Sequence, residues 1–313
     1  MQLSAVITAH NPDAMRLQRT LRGLRAQTLP IAEWETVVVD NASSPAIERA
    51  LLADAAPANL RLVREPVLGL TAGRRSGLNS LATPVAVLVD DDNVLAPDYL
   101  AAVLKIFSRE ARLGAIGGKS VGDFAAPPPA WTVEFHPLLA LRDLGDQPQI
   151  SRGLRPSAGP RNEYPAFAPI GAGMALRRAA WEAWLSTRGT TAGPSDRRGV
   201  ELSSGGDNDI VLCAMRAGWE VGYFPELSLT HLIPPQRLDP TYLARLNRGI
   251  QKSWMQVLSL NDANPWPPLS RAGVVLRKLK AFLAHRPWIS AAAKIRWRGA
   301  CGHYEGRVSR DAS

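Results

Sequence analysis

Three consecutive aspartates, Asp90, Asp91 and Asp92, follow the apolar run from Pro84 to Val89. A short β-branched run of that kind reads as a buried strand, so the carboxylates fall at its carboxyl end, where open α/β sheets place their ligands. Three adjacent anions repel one another unless a cation holds them. One or two carboxylates, completed by substrate phosphates, are the usual seat of Mg²⁺ or Mn²⁺ beside a nucleotide. The plain alternative is an acidic turn before a helix, with Pro97 at its first position and Asp98 in its first turn. From the triplet alone the two readings stand level.

Three further segments are polar where the residues before them are apolar: Thr8-Ala-His-Asn-Pro12, Asp40-Asn-Ala-Ser43 and Gly69-Leu-Thr-Ala-Gly-Arg-Arg-Ser-Gly77. At a strand end a carboxylate accepts from a base or ribose, while Arg74 and a helix amino terminus face a pyrophosphate. Helix capping before Pro45 accounts as well for Asp40 and Ser43, and tight turns account for the glycines.

The elements that would position these residues alternate. Strands are predicted at Leu3 to Thr8, Thr36 to Val39, Leu60 to Val63, Val85 to Val89 and Ala115 to Gly118. Helical spacing runs from Met15 to Ala26, Pro45 to Ala55, Ala72 to Ser80 and Pro97 to Ser108. Such alternation implies an α/β fold, with a mainly parallel central sheet and helices on both faces. Gly122 to Pro169, rich in Pro, Arg and aromatics, reads as loop and short elements over the sheet's carboxyl edge. Thr187 to Gly206 reads as a mobile loop.

Composition narrows the classes. With 313 residues, 46% hydrophobic and 21% charged, the chain has enough apolar surface for one large core or two modest ones. Two distant cysteines, Cys213 and Cys301, argue against a disulfide framework and a structural zinc site. The apolar start reads as a first strand and not a signal peptide, and no apolar stretch reaches spanning length. A cytoplasmic protein is expected. The net charge is +9, but +8 of it lies from Arg271 to Ser313, which counts against a nucleic-acid partner. That segment mixes ten Lys or Arg with Trp288, Trp297 and Phe282, as basic amphipathic helices on an anionic membrane surface do. A helical layer packed on its own domain explains the same composition.

The order and spacing of Val6-Ile-Thr-Ala-His-Asn-Pro12, Val37-Val-Val-Asp-Asn-Ala-Ser43, Gly69-Leu-Thr-Ala-Gly-Arg74 and Val89-Asp-Asp-Asp-Asn93 resemble the donor half of the family 2 inverting glycosyltransferases. Gly122-Asp-Phe124, Gly171-Ala-Gly-Met-Ala-Leu-Arg-Arg178, Ser204-Gly-Gly-Asp-Asn-Asp209 and Ala217-Gly-Trp-Glu-Val-Gly-Tyr223 resemble the acceptor half. His231-Leu-Ile-Pro-Pro-Gln-Arg-Leu238 is similar to a motif of bacterial members that build polysaccharides, including hormogonium polysaccharide.

The resemblance implies the nucleotide-sugar-binding fold called GT-A over residues 1–240, with a donor half at 1–120 and an acceptor half at 121–240. A basic helical extension follows at 241–313. It implies a metal-dependent enzyme that moves a sugar from a nucleotide-sugar donor to a glycan or lipid-linked acceptor in cell-surface polysaccharide synthesis. Residue by residue, Asp40 would contact base or ribose, Arg74 base or phosphate, and Asp90 ribose or metal. Asp92 would bind Mg²⁺ or Mn²⁺ directly, helped by His231, while Asp91 points away. Thr8, His10, Asn11, Gly171 and Gly173 would complete the donor site. Asp207 would be the general base, with Asp209 its rival. Gly206 stands where the family usually has Glu, Arg75 replaces a usual Asn, and His10 a common Tyr. A sugar-nucleotidyltransferase usually carries a Gly-rich basic loop after its first strand, which Thr8 to Pro12 lacks. A non-catalytic nucleotide-sugar-binding subunit would need no Asp207.

Overall fold

The computed structural model describes residues 1–151, 164–188 and 205–308. β1 (Leu3–Ala9), β2 (Trp34–Asn41), β3 (Leu60–Glu65) and β4 (Val85–Asp90) pair in parallel in the order β3-β2-β1-β4. Helices α1 (Ala14–Arg25), α2 (Arg49–Leu52) and α3 (Leu70–Asn79) connect them. β1 and β4 are buried nearly throughout because both faces of the sheet are covered there, whereas the edge strand β3 alternates half-buried and exposed residues beyond Leu60. Leu3, Ala5 and Ile7 pack on one side with Leu17, Leu21 and Leu24 of α1, and the alternate Val6 packs on the other with Leu78, Trp181 and Trp184.

The second half inverts this pattern. After β5 (Asn93–Leu95) and α4 (Tyr99–Arg109) come β6 (Leu113–Phe124), β7 (Gln149–Ser151), β8 (Ala175–Arg177), α5 (Arg178–Arg188), α6 (Gly206–Arg216) and β9 (Glu220–Ile233). β8 is antiparallel to both β4 and β6, whereas β9 runs parallel to β6 and antiparallel to β5 and β7. The result is a mixed sheet whose parallel part holds the amino-terminal strands. The helix predicted over Pro45 to Ala55 is only the four residues of α2, and the strand predicted at Ala115 to Gly118 runs on to Phe124. Within Gly122 to Pro169, a 3-10 helix at Ala130–Leu139 and β7 are the ordered pieces described. Of the predicted mobile loop from Thr187 to Gly206, residues 189–204 lie outside the described residues.

Three helices close the chain: α7 (Pro240–Leu260), α8 (Arg271–His285) and α9 (Ala291–Glu305). Asp239 caps α7 by accepting from the amides of Thr241 and Tyr242, and Pro240 suits its first turn. Leu243 and Leu246 of α7, Ile295 of α9, and Phe135 and Leu139 of the 3-10 helix form one cluster. α9 lies so close to α7 that a Cβ on Gly302 would sit 2.1 Å from the Arg248 carbonyl oxygen. Glu305 ties the layer together, accepting from Arg248 at 2.7 and 2.8 Å and from Lys278 at 2.8 Å. The basic extension thus packs on its own domain through α9, while α8 keeps an exposed side.

Candidate active site

Strand register gathers the polar segments at one place. β4 ends with Asp90 beside Thr8 of β1, and β5 starts with Asn93 opposite His231 of β9. The aspartate triplet therefore turns between the two halves of the sheet, above a cavity of about 400 Å³. Thr8, His10, Arg74, all three aspartates, Gly171, Asp207 and His231 line it.

Asp92 is the most heavily held of the triplet. Its carboxylate is 3.2 Å from His231 Nε2 and 2.8 Å from the Arg237 guanidinium, and it accepts from Asn93 Nδ2 at 3.2 Å. Burial works against its charge, yet the His231 hydrogen bond and the Arg237 charge hold the carboxyl down at about 2. Asp91 is the opposite case. Burial, then the charges of Asp92 and Asp90, push its carboxyl up to about 7. Asp90 faces Arg74 at 3.4 Å. Each outer aspartate thus has an arginine, and the middle one has none within ion-pair distance among the described residues.

Arg74 is buried on α3 beneath Gly171, where a Cβ would stand 2.5 Å from its guanidinium. A side chain at this position would have to displace the guanidinium. Thr8 and His10 line the cavity, with His10 Nδ1 2.8 Å from the Asn41 carbonyl oxygen. Asn11, Asp40 and Gly173 lie outside the lining. Asn11 accepts from the Ser44 amide at 2.8 Å, and Gly173 accepts from the Tyr99 hydroxyl at 2.5 Å. Asp40 accepts from the amides of Ser43 and Ile47 at 3.1 and 2.9 Å and pairs with Arg64. Its neighbour Asn41 reaches the cavity instead and accepts from the Gly69 amide at 2.9 Å, just before α3.

The two carboxylates of α6 are separated by their surroundings. Asp207 stands in the first turn, where the helix dipole favours an anion, and its Oδ2 accepts from the Gly171 amide at 2.9 Å. Its Oδ1 is buried without a hydrogen-bond partner among the described residues. Asp209 turns away from the cavity into a network with Arg188, Trp184 Nε1 at 3.0 Å and Asn261 Nδ2 at 2.9 Å. A Cβ at Gly206 would lie 2.7 Å from Thr71 Oγ1, so the glycine that departs from the family pattern permits α6 to start against α3.

Sequence reasoning missed Arg237 and the apolar wall opposite these charges. After β9, Pro234 and the 3-10 helix Pro235–Leu238 fold the chain back so that Arg237 meets Asp92. The signal was present as a basic residue six positions after His231, across two prolines. Pro137, Leu138 and Leu139 of the 3-10 helix and Leu246 and Ile250 of α7 make the apolar wall. Trp131 packs on Phe135, with ring centroids 6.3 Å apart.

A family model described as glycosyltransferase like family 2 matches residues 2–250. The chain belongs to that family. It is 28% identical over 152 residues to validoxylamine A glucosyltransferase of Streptomyces hygroscopicus subsp. jinggangensis (strain 5008), a match that spans 47% of this chain and 36% of the relative's length. The crystal structure of S. aureus TarS 1-349 overlays with a TM-score of 0.50 at 14% identity, covering 97% of this chain and 90% of that one. The fold is the GT-A fold of this glycosyltransferase family.

Among the described residues no group of three or more His, Cys, Asp or Glu side chains is gathered to hold an ion. Asp92 and His231 make a pair, and His231 Nδ1 is buried without a partner. Two protein ligands suit a Mg²⁺ or Mn²⁺ ion whose remaining positions are filled by phosphate oxygens and water. The donor set fits an ion that arrives with a diphosphate.

Proposed function

We propose that this protein transfers a sugar from a nucleoside-diphosphate donor to an acceptor hydroxyl, with inversion at the anomeric carbon. The observation that carries the reading is Asp207 Oδ1, a buried carboxylate oxygen with no hydrogen-bond partner among the described residues, in the same cavity as the arginine-paired aspartates. Asp207 takes the proton of the acceptor hydroxyl, while the Gly171 amide on its other oxygen fixes which oxygen is free. The hydroxyl attacks the anomeric carbon on the face opposite the leaving diphosphate, the carbon–oxygen bond to the donor breaks, and the configuration inverts. No covalent enzyme intermediate forms. Arg74 and Arg237 meet the charge that gathers on the departing phosphate. Asp92 and His231 would hold the divalent ion, which when bound neutralises diphosphate charge without proton transfer.

Thr8, His10 and Asn41 border the nucleotide end of the same reading. The apolar wall of Leu138, Leu139, Leu246 and Ile250 supports an acceptor with an apolar portion, such as a lipid-linked glycan of cell-surface polysaccharide synthesis. No described helix is long and apolar enough to cross a membrane. Under this reading the enzyme works in the cytoplasm at the inner face of the plasma membrane, with its basic end toward the anionic leaflet. The glucosyltransferase relative makes nucleoside-diphosphate glucoses the first donors to try. Asp207→Asn should keep donor binding by calorimetry while transfer falls by about 10²-fold or more, the scale of a positioned general base. Undiminished transfer by Asp207→Asn would remove the base, and with it the mechanism.

A further inference from the structure

Helix α8 carries apolar side chains on its outer side as well as its inner one. Val274 and Ala281 turn inward and are buried. Val275, Leu276, Leu279 and Leu283 turn outward and are 54–68% exposed, with Phe282 at 36%. At 100° per residue these five positions span a single arc of about 120°, wider than scattered surface hydrophobics would make. The turn that follows extends the patch with Trp288 and Ile289, 61% and 63% exposed, and Trp288 packs on Phe282 with centroids 5.1 Å apart. A patch of this kind marks an interaction surface.

Its charge identifies the partner. From Arg271 to Tyr304 the sequence has eight Lys or Arg and no Asp or Glu. Lys278 is turned inward to Glu305 and Arg296 is paired with Glu134. Arg271, Arg277, Lys280, Arg286 and Lys294 have no carboxylate partner among the described residues. A second copy seated on this face would bring like charges together with no acid to offset them. A nucleic acid would satisfy the cations but leave the leucines and Trp288 against phosphate. An anionic lipid surface satisfies both, because acyl chains take the apolar arc and headgroups take the basic flanks.

We propose that the outer face of α8 and the Trp288–Ile289 turn lie in the interface of an anionic bilayer, with the helix parallel to the membrane plane. This deepens the membrane placement above and rests on nothing in the transfer chemistry. α9, packed between α7 and α8, then joins the membrane face to the helix that walls the cavity.

The test uses the full chain with mixed phosphatidylcholine–phosphatidylglycerol vesicles against pure phosphatidylcholine. The protein should sediment with the mixed vesicles only, and Trp fluorescence should shift to the blue and be quenched by brominated acyl chains. Leu279→Ser with Leu283→Ser should lower partition by more than about tenfold, the scale of withdrawing two leucine side chains from an apolar phase. Both sites are exposed, so the variant is expected to keep the parent's circular dichroism and melting temperature. Lys280→Glu with Arg271→Glu should lower partition to mixed vesicles, and raising ionic strength from about 0.01 M to about 1 M should do the same by shortening the Debye length from about 30 Å to about 3 Å. Equal partition of parent and Leu279→Ser/Leu283→Ser, or none at low salt, would overturn the proposal. So would a concentration-dependent dimer that this double variant abolishes, since the face would then belong to a second copy. Transfer assays read the chemistry separately, so its failure is distinguishable from loss of vesicle binding.

Discussion

Asp207 and Asp209 stand two positions apart on α6 and are given different tasks by what touches them. Asp207 has one oxygen fixed by the Gly171 amide and one without a partner among the described residues, whereas Asp209 is surrounded by Arg188, Trp184 and Asn261. Asp209→Asn weakens the hydrogen-bonded network that Asp209 shares with Arg188, Trp184 and Asn261, so the expected loss is about 1–3 kcal/mol of stability, read as a lowered melting temperature. Transfer per folded molecule should change little. The same reasoning gives Arg237 its role at the diphosphate. Arg237→Ala removes charge-assisted hydrogen bonds and should weaken nucleoside diphosphate binding by at least about tenfold in calorimetry. If Asp92 and His231 hold the ion, adding Mn²⁺ should tighten diphosphate binding in the parent and not in Asp92→Asn, and a chelator should erase the difference. An equal Mn²⁺ response in Asp92→Asn would move the ion elsewhere.

At the scale of elements, the parallel strands were plain in the sequence because each is a short, largely apolar run ending in polar residues. β1, β2, β3 and β4 contain every residue of the strands predicted there. The triplet was legible as the end of a strand and Arg74 as part of the glycine-rich segment opening a helix, whereas Asp207 came only with the family resemblance. Arg237 and Asn41 were not legible, since their place in the cavity depends on a turn across Pro234 and on the register of β2. Asp40, legible as a strand-end carboxylate, meets backbone amides and Arg64. The α7–α9 seam was equally hidden, because a glycine in a helix says nothing about which backbone approaches it. Gly302→Ala tests the seam. Helix propensity would favour alanine by about 1 kcal/mol, but a Cβ 2.1 Å from a carbonyl oxygen forces the helices apart, and overpacking of this kind costs about 1–3 kcal/mol. The expected net outcome is a lower melting temperature. Glu305 adds a pH dependence. Burial raises its pKa, but the Arg248 and Lys278 hydrogen bonds prevail and lower it below the ordinary 4.5. A depressed carboxyl contributes stability that is complete above about pH 4.5 and is lost as pH falls through the folded-state value. With both partners more than a third exposed, the contribution is roughly 1 kcal/mol. Glu305→Gln should flatten the acid limb of a stability-against-pH curve and leave the same slope elsewhere.

Across the whole molecule, the cavity draws its charged floor from one core and its apolar wall from another. Strand ends of the central sheet supply the aspartates, and α7 supplies Leu246 and Ile250. α7 is in turn backed by Ile295 of α9, within the cluster that includes Leu243 and Leu246. Cutting the chain after Ser270 therefore uncovers part of a hydrophobic core. The shortened protein should aggregate or melt lower, and its failure to bind vesicles would report misfolding as much as a lost anchor, which is why point variants on the outer face of α8 are the cleaner probe.

This division has a consequence for how the protein ages. Mild heat or denaturant that loosens the helical layer would spoil the acceptor side while the sheet, and the nucleotide site on it, still stood. Inactivation should then run ahead of unfolding: incubated samples would lose turnover first, keep their nucleoside diphosphate titration for longer, and lose their circular dichroism last.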